Sequence, residues 1–425
     1  TLTTALTGGT EAGDILMVGA NLLVAPPTGV SLTLNATRDI LVADSAIVST
    51  GAALSLDLVA AGGGVGAIEL RNTSVTTAGG DLRLRGATAA PMPLPDGTFT
   101  STPYAPARGY DGATAPFPTA LSAPLNGVFL NNATIDAGAG RFEATGLAAA
   151  TASDAVLARG VRLQGASPAT PTALRAATID IAAFGRDGLT LANYDLLATD
   201  GMTLLAAGAR RGMLMTDANL RLLAAAGSGA VMSIEGQAGP GTSIGGHFGV
   251  AFQVAGGPAS SGLQVSNAAV VVRGRSLGDA GAAPSSGSGI SLQQGVHDLS
   301  GATGVLIEGD SALAAGVGIR FSTLRLPEAA GATTTIGATA GPVVLSDQTI
   351  TGAGALTVTA GAGGAAPGDV LLTNMTVTAA SGALVLEATR DIVVQDSSLA
   401  STGAAWSLDF RAAGNDAFGV VSIAN

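Results

Sequence analysis

The chain has 425 residues and a formal net charge of −11, but only 12% of its residues are charged and 3% are aromatic. All 19 basic residues are arginines and no cysteine occurs, so lysine chemistry, disulfides and thiolate metal sites are excluded. The acidic net charge argues against a basic face for nucleic acid. Hydrophobic residues make up 47% of the chain, yet no uninterrupted apolar run reaches the ~18 residues of a membrane-spanning helix.

The first informative feature in chain order is a stretch that is repeated near the end. Residues 37–62 read TRDILVADSAIVSTGAALSLDLVAAG, and residues 389–414 read TRDIVVQDSSLASTGAAWSLDFRAAG, with 18 identities in 26 positions. The identities include arginine, aspartate, serine and threonine, so shared hydrophobicity does not explain them. We interpret the match as a super-repeat of 352 residues that links 13–72 with 368–425.

A shorter pattern lies within this repeat. Around Asn72, apolar residues alternate, an apolar residue follows three positions after the asparagine, a glycine follows after eight, and alternation resumes. Period-two alternation over short runs predicts β-strands, and asparagine or aspartate tolerates the left-handed backbone of a corner. The same pattern predicts eight turn anchors in all: Asp44, Asn72, Asn132, Asn193, Asn267, Asp347, Asn374 and Asp396.

Successive anchors are separated by 28 residues at 44 to 72, 27 at 347 to 374 and 22 at 374 to 396. A unit of this length, built of strands and glycine turns, predicts a solenoid. We therefore predict an all-β fold: a single-stranded, parallel, right-handed β-helix that forms one continuous body over 1–425, with loop insertions. Its core is expected to be narrow and aliphatic, with little room for aromatic rings, and stacked anchor side chains are expected to form hydrogen-bonded ladders.

Three stretches interrupt the pattern. Residues 89–126 contain eight of the 18 prolines and four of the fourteen aromatic residues, which predicts a loop that leaves the body between two coils. A Gly-rich insertion is predicted at 236–262, and a short Ser/Gly/Ala linker at 278–289.

The insertion at 89–126 is the predicted binding element, because loops on rigid scaffolds often carry recognition. Its candidate binding residues are Phe99, Tyr104, Arg108, Tyr110 and Phe117. Two interpretations remain open: the loop docks a partner or a neighbouring copy, or it lies as a flap on the apolar side of its own body.

Candidate catalytic groups are few. The two histidines, His247 and His297, form no recognisable triad with Asp298 or Asp310, and we expect them to be solvated loop or turn residues. Asp39 and Asp44, repeated as Asp391 and Asp396, form the best candidate carboxylate pair for glycan chemistry, although duplicated carboxylates more often mark turns. The recurring pairs Arg38–Asp39 and Arg390–Asp391 are interpreted as neighbour ion pairs on the outer surface, of little energetic value where they are exposed. No catalytic residue, metal site or cofactor is predicted.

The segment VLLTNMTVTAASGALVLEATRDIVVQDSSLAST resembles the repeats of filamentous-haemagglutinin-like large exoproteins, which are giant bacterial adhesins of two-partner secretion. The resemblance implies a secreted β-helix at the bacterial cell surface. It leads us to expect a structural and adhesive segment, not an enzyme. The expected partners are other copies of the chain and a cell-surface glycan or protein, with neither nucleic acid nor a transmembrane segment. The alternative is a glycan-processing or glycan-binding β-helix, of the polysaccharide lyase or hydrolase type or the phage tail-fibre type.

The final residues GVVSIAN correspond to GAIELRN at 66–72. We therefore expect the super-repeat to continue in the parent protein with a sequence that resembles TSVTTAGGDLRLRGA.

Overall fold

A computed structural model of the chain describes residues 2–3, 13–62, 64–92, 94, 102–111, 120–149, 158–239, 246–255, 261–277, 287–311, 315–329, 331–352, 354–361, 368–379, 382–403, 406–412 and 419–424. Strands make up 66% of the chain. The described ranges contain no helix, and therefore no helix long and apolar enough to cross a membrane. The fold is all-β. The chain divides into two compact units, Thr1–Ala209 and Arg210–Asn425.

The first unit contains short strands followed by two long ones. They are β1 (Leu2–Thr3), β2 (Ile15–Val18), β3 (Asn21–Val24), β4 (Val30–Asn35), β5 (Ile40–Ala43), β6 (Ala46–Ser49), β7 (Leu54–Ala60), β8 (Ile68–Arg71), β9 (Ser74–Thr76), β10 (Leu82–Gly86), β11 (Ala107–Arg108), β12 (Val128–Asn131), β13 (Thr134–Asp136), β14 (Arg141–Leu147), β15 (Arg159–Gln164), β16 (Thr172–Ala192) and β17 (Tyr194–Thr216), in which the unit boundary falls.

The second unit continues with β18 (Asn219–Leu223), β19 (Val231–Ala238), β20 (His247–Gln253), β21 (Gly262–Ser266), β22 (Ala269–Ser276), β23 (Gly287–Gly301), β24 (Gly304–Ser311), β25 (Val317–Arg325), β26 (Thr334–Ala340), β27 (Val343–Ser346), β28 (Thr349–Gly352), β29 (Ala355–Ala360), β30 (Val370–Thr373), β31 (Thr376–Ala379), β32 (Gly382–Ala388), β33 (Ile392–Gln395), β34 (Ser398–Ser401), β35 (Trp406–Ala412) and β36 (Val421–Ala424).

The strands of the first unit stack in parallel into three columns, and equivalent side chains of successive coils lie in register. The inward positions of column A are Ile15, Ile40, Ile68, Val128, Val161 and Leu189. Those of column B are Leu22, Ile47, Val75, Ile135 and Leu174. Those of column C are Leu32, Leu56, Leu82, Phe142 and Ile179. Parallel pairing from coil to coil is consistent with a parallel β-helix.

The second unit has the same three columns. Column A places Met213, Val250, Ile290, Val317, Val343, Val370, Ile392 and Val421 in register. Column B contains Leu324, Ile350, Val377 and Leu399. Column C contains Met232, Val270, Val305, Thr334, Leu356, Leu384 and Leu408. One coil alone could not bury its inward row, so the stack is the folding unit.

Aromatic rings enter the interior more than the sequence suggested. Tyr194, Phe142, Phe184 and Phe252 are among the largest fully buried side chains. The expectation of a core with little room for rings was therefore wrong, since these positions take the place of aliphatic neighbours in the columns.

Glycines let the backbone close one corner in three successive coils of the second unit. Gly236, Gly274 and Gly309 lie in register in column C. A Cβ added at Gly274 would stand 2.1 Å from the carbonyl oxygen of Gly289, and one at Gly309 would stand 1.9 Å from that of Gly316. No side chain fits between two backbones at this distance, so glycine is required here.

The outward side of column C carries rows of alternating charge. In the first unit Arg85 pairs with Asp57 at 2.7 Å. In the second unit Arg273 lies between Glu235, at 3.8 Å, and Glu308, at 3.1 Å. These pairs are half exposed, so each contributes little stability alone, but together they leave the outer face polar.

The predicted Gly-rich insertion at 236–262 contains a paired strand, β20, so it is not irregular throughout. β20 aligns Val250 with Met213 on one side and Ile290 on the other. Most of the predicted linker at 278–289 lies outside the described residues, and β23 begins at Gly287.

Candidate functional site

The eight turn anchors share one backbone conformation. Each has a positive φ, between 48° and 54°: Asp44, Asn72, Asn132, Asn193, Asn267, Asp347, Asn374 and Asp396. Asparagine and aspartate reach this left-handed region at lower cost than other non-glycine residues. Seven of the anchors turn the chain at the corner between column A and column B. Asn267, which lies between β21 and β22, turns it at the corner between column B and column C.

In the first unit the anchor side chains form a ladder that runs from coil to coil. Asn72 Nδ2 donates to Asp44 Oδ1 at 3.0 Å, and Asn132 Nδ2 donates to Asn72 Oδ1 at 3.3 Å. Thr172 Oγ1 continues the ladder by donating to Asn132 Oδ1 at 3.1 Å. Ser45, Thr73 and Thr134 border the same shallow polar groove. The corner therefore presents a continuous line of donors and acceptors.

The second unit repeats this arrangement in part. Asn374 Nδ2 donates to Asp347 Oδ1 at 2.7 Å. Asn267 Nδ2 donates to the carbonyl of Ala224 at 3.0 Å at a different corner, the one between column B and column C. The sequence pattern did not predict three further corner residues of this unit that have a positive φ: Asp217, Gln294 and Phe321. Asp217 was recognisable as an aspartate between two alternating runs, whereas nothing in the sequence indicates the other two.

A buried ionic cluster lies at the start of column A in the first unit. Arg38 Nε donates to Asp14 Oδ1 at 2.8 Å, and its Nη2 lies 2.5 Å from Asp14 Oδ2. The amide of Asp39 also donates to Asp14 Oδ1, at 3.2 Å. Arg38 and Asp39 are 6% and 1% exposed, so the expectation of an exposed neighbour pair was wrong for this copy. Asp14, in the preceding coil, is the partner that the sequence did not reveal.

The insertion at 89–126 covers this cluster. The hydroxyl of Tyr110 donates to Asp39 Oδ2, and the amide of Ala67 donates to Asp39 Oδ1 at 3.0 Å. Burial raises the pKa of the Asp39 carboxyl, while these two hydrogen bonds act in the opposite direction. Tyr110 is therefore part of the unit's own packing.

Other described parts of the insertion are also anchored on the unit. Leu121 packs with Leu41, Ala43 and Ala67. The amide and hydroxyl of Ser122 donate to the two oxygens of Glu69, at 2.7 and 2.6 Å. Leu121 and Ser122 thus hold this end of the insertion against column A.

The remaining candidate binding residues have mixed positions. The Tyr104 ring lies 5.4 Å from the Phe184 ring, and Tyr104 forms an isolated antiparallel bridge with Ala90. Arg108 lies in β11, is half-buried and bridges Gly66. Phe99 and Phe117 lie outside the described residues. A docking role for these five residues stays a prediction, and the contacts of Tyr104 and Tyr110 are those of a flap.

The second copy of the repeat reproduces the ionic cluster, and among the described residues no tyrosine contacts Asp391. Arg390 pairs with Asp369 through both oxygens, and the amide of Asp391 donates to Asp369 Oδ1 at 3.2 Å. Val420 replaces Ala67 in donating to Asp391 Oδ1, at 3.0 Å. The side chain of Arg390 is 51% exposed, against 7% for Arg38. The cluster is thus a repeated structural element, and its first copy is contacted by Tyr110 of the insertion.

Replacement of Tyr110 with phenylalanine is expected to lower the free energy of unfolding by about 2 kcal/mol, because a buried carboxylate loses a hydrogen-bond donor. Chemical denaturation measures this, and limited proteolysis at Arg108 should quicken. A double-mutant cycle with Asp39→Asn should show coupling, whereas the same cycle with Asp391→Asn, in the second copy of the repeat, should be additive. Equal behaviour of the two cycles would contradict the contact.

The histidines contradict the expectation of solvated turn residues. His247 and His297 are 1% and 0% exposed. His297 lies in column B, since Gln264 pairs with Asp298 and His297 with Leu324, and its ring meets the Phe252 ring at 5.3 Å. Burial lowers the pKa of His297 from 6.5 to about 4. It is therefore a neutral core residue at physiological pH.

The candidate carboxylate pair is separated by a strand. Asp39 precedes β5 and Asp44 follows it, which places their Cα atoms about 16 Å apart. Glycoside hydrolysis needs two carboxyl groups about 5 to 9.5 Å apart. This pair does not have that geometry. Within the described ranges, no group of three or more His, Cys, Asp or Glu side chains is placed to hold a metal ion.

Comparisons with family models, with curated proteins and with solved structures found no match to the chain.

Proposed function

We propose that this chain is a structural and adhesive segment of a giant exported bacterial surface protein, of the filamentous-haemagglutinin-like kind. The observation that carries the proposal is the parallel register of three columns in each unit, in which inward apolar residues stack on their counterparts of the next coil. A fold of this kind is extended by adding coils, and nothing in it needs a closed catalytic cavity.

Handedness and mechanics follow from the same proposal. The coils wind to the right, as parallel crossover connections almost always do. Backbone hydrogen bonds between coils then run along the long axis, so bending the segment requires breaking them. Such a segment acts as a stiff spacer that carries a binding surface away from the cell.

The side surfaces suit contact with other molecules. The polar ladder of Asp44, Asn72 and Asn132 and the charge rows of column C give each unit a hydrophilic exterior. Copies that lie side by side would meet through these rows, which supports fibres as well as attachment to a surface glycan or protein.

Small-angle X-ray scattering and electron microscopy of the purified chain test the proposal. We expect an elongated particle whose long dimension is on the order of 60–75 Å, from roughly 4.8 Å per coil. Two separated round lobes would contradict it. Adhesion is measured separately, by binding of the labelled chain to bacterial and host cell surfaces, and absence of binding to both would remove the adhesive part while leaving the spacer.

A further inference from the structure

One corner residue of the second unit does not fit its position. Phe321 has a φ of 53°, in the same left-handed region as the neighbouring anchors, and 61% of its surface is exposed. It is one of only fourteen aromatic residues in the chain. The corresponding corner positions in the neighbouring coils carry Gln294, Asp347 and Asn374.

This arrangement costs stability twice. A bulky side chain at positive φ is strained, whereas asparagine or aspartate is tolerated there. An aromatic ring that remains in solvent also recovers little of the hydrophobic free energy that its burial would provide. Backbone strain at a residue whose side chain is mostly exposed is typical of residues kept for binding.

The register places polar groups on both sides of the ring. Arg320 pairs with Gln293 in one neighbouring coil and with Ser346 in the other, so Phe321 lies between Gln294 and Asp347. Ser346 pairs in turn with Thr373, which brings Asn374 next in line, hydrogen-bonded to Asp347 at 2.7 Å. Neighbouring positions along this line are separated by about 4.8 Å.

We propose that Gln294, Phe321, Asp347 and Asn374 form a saccharide-binding site. One face of the Phe321 ring packs against the C–H face of a sugar ring. The planar amide and carboxylate groups on either side exchange hydrogen bonds with its hydroxyls, and Arg320, which is exposed, adds a donor. The site gives the adhesive part of the proposed function a ligand class, and to that extent rests on it.

The surroundings of Phe321 favour a sugar over a protein partner. A protein hot spot needs an aromatic residue in a desolvated pocket, within an interface of about 1,000 Å² or more. Here the residues in line with the ring are polar. One ring flanked by amides and a carboxylate matches the alternation of C–H and O–H surfaces on a sugar.

The test uses the full chain and immobilised polysaccharides, with separate neutral arms (a glucan, a mannan and a galactan) and acidic arms that contain uronic acids. Phe321→Asn is the informative variant. We expect binding to at least one polysaccharide to weaken by about tenfold or more, since a stacking contact contributes on that order. We also expect the denaturation midpoint of this variant to rise, because asparagine relieves the backbone strain.

Leu223→Asn is the matched control, since it removes an exposed apolar side chain from the same unit at 38% exposure. It should leave binding unchanged. Binding in neutral arms, acidic arms or both supports the site if it depends on Phe321. The proposed site is overturned if the chain binds none of the polysaccharides, or if Phe321→Asn binds as well as the parent chain. It is also overturned if Phe321→Asn is less stable than the parent chain, because Phe321 would then be a structural residue. An elongated particle without saccharide binding rejects this site only, whereas separate lobes with Phe321-dependent binding reject the spacer only.

Discussion

Replacement of Gly274 with alanine is expected to lower the free energy of unfolding by about 3 kcal/mol, at the upper end of the cost of overpacking. The new Cβ would lie 2.1 Å from the carbonyl oxygen of Gly289 and 2.6 Å from Ile290 Cγ1. The first of these atoms belongs to the backbone, which is held by hydrogen bonds between coils and cannot rotate away as a side chain could. The corner must open, and the strain spreads into the coils on both sides.

Gly304→Ala is the matched control for this prediction. Gly304 lies in the same unit, its φ is not in the left-handed region, and its new Cβ would meet only a carbonyl oxygen at 3.8 Å. Alanine there should leave stability unchanged or raise it by about 0.5 kcal/mol, since it restricts the unfolded chain. Urea denaturation of both variants measures the difference. Equal stabilities would show that the two glycine backbones do not approach so closely.

The second large effect is acid destabilisation through His297. Its pKa in the folded chain, about 4, lies below its ordinary value of 6.5, so the unfolded chain binds the proton more readily. The contribution to stability is complete above pH 6.5, decreases as the pH falls through that value, and is fully lost below about 4. The loss amounts to about 3 kcal/mol.

His297→Leu should remove this part of the pH dependence. Leucine matches Leu324 in the next coil of column B, and it removes a buried ring nitrogen, Nε2, that has no hydrogen-bond partner among the described residues. We expect the variant to be more stable than the parent chain at pH 4.5. The difference in free energy of unfolding between the two should be smaller at pH 7.5. Glu328→Gln, which removes an exposed carboxylate from the same unit, should follow the parent curve. A parallel shift of the His297→Leu curve at both pH values would contradict the buried titration.

Local periodicity was enough to predict the repeating part of the fold. Alternation around Asn72, Asn132 and Asn374 predicted strands that pair in the structure, because inward and outward positions alternate strictly along a strand. The glycine eight residues after Asn132 also has a physical basis: a Cβ at Gly140 would lie 2.1 Å from the carbonyl oxygen of Gly80 in the adjacent coil. Handedness and the adhesive function stay predictions.

What the sequence did not reveal depends on contacts between distant segments. Asp39 is buried by Tyr110, 71 residues away, and no local pattern encodes that encounter. The buried position of His297 was not predicted because the register between β21 and β23 shifts near this residue. The shift breaks the residue spacing on which the sequence pattern depends. Phe321 violates the corner rule itself, and such violations concentrate where a sequence serves something other than stability.

The insertion has one consequence for how such a chain can change over evolutionary time. Ile68 pairs directly with Val128 although residues 89–126 lie between them. The pairing of the two strands thus tolerates the 38 residues that leave and return at this point. Diversification can therefore proceed there by lengthening or shortening of the segments that do not contact the unit, and a foreign peptide could be grafted for display in the same way, provided that Tyr110 and Ser122 keep their contacts.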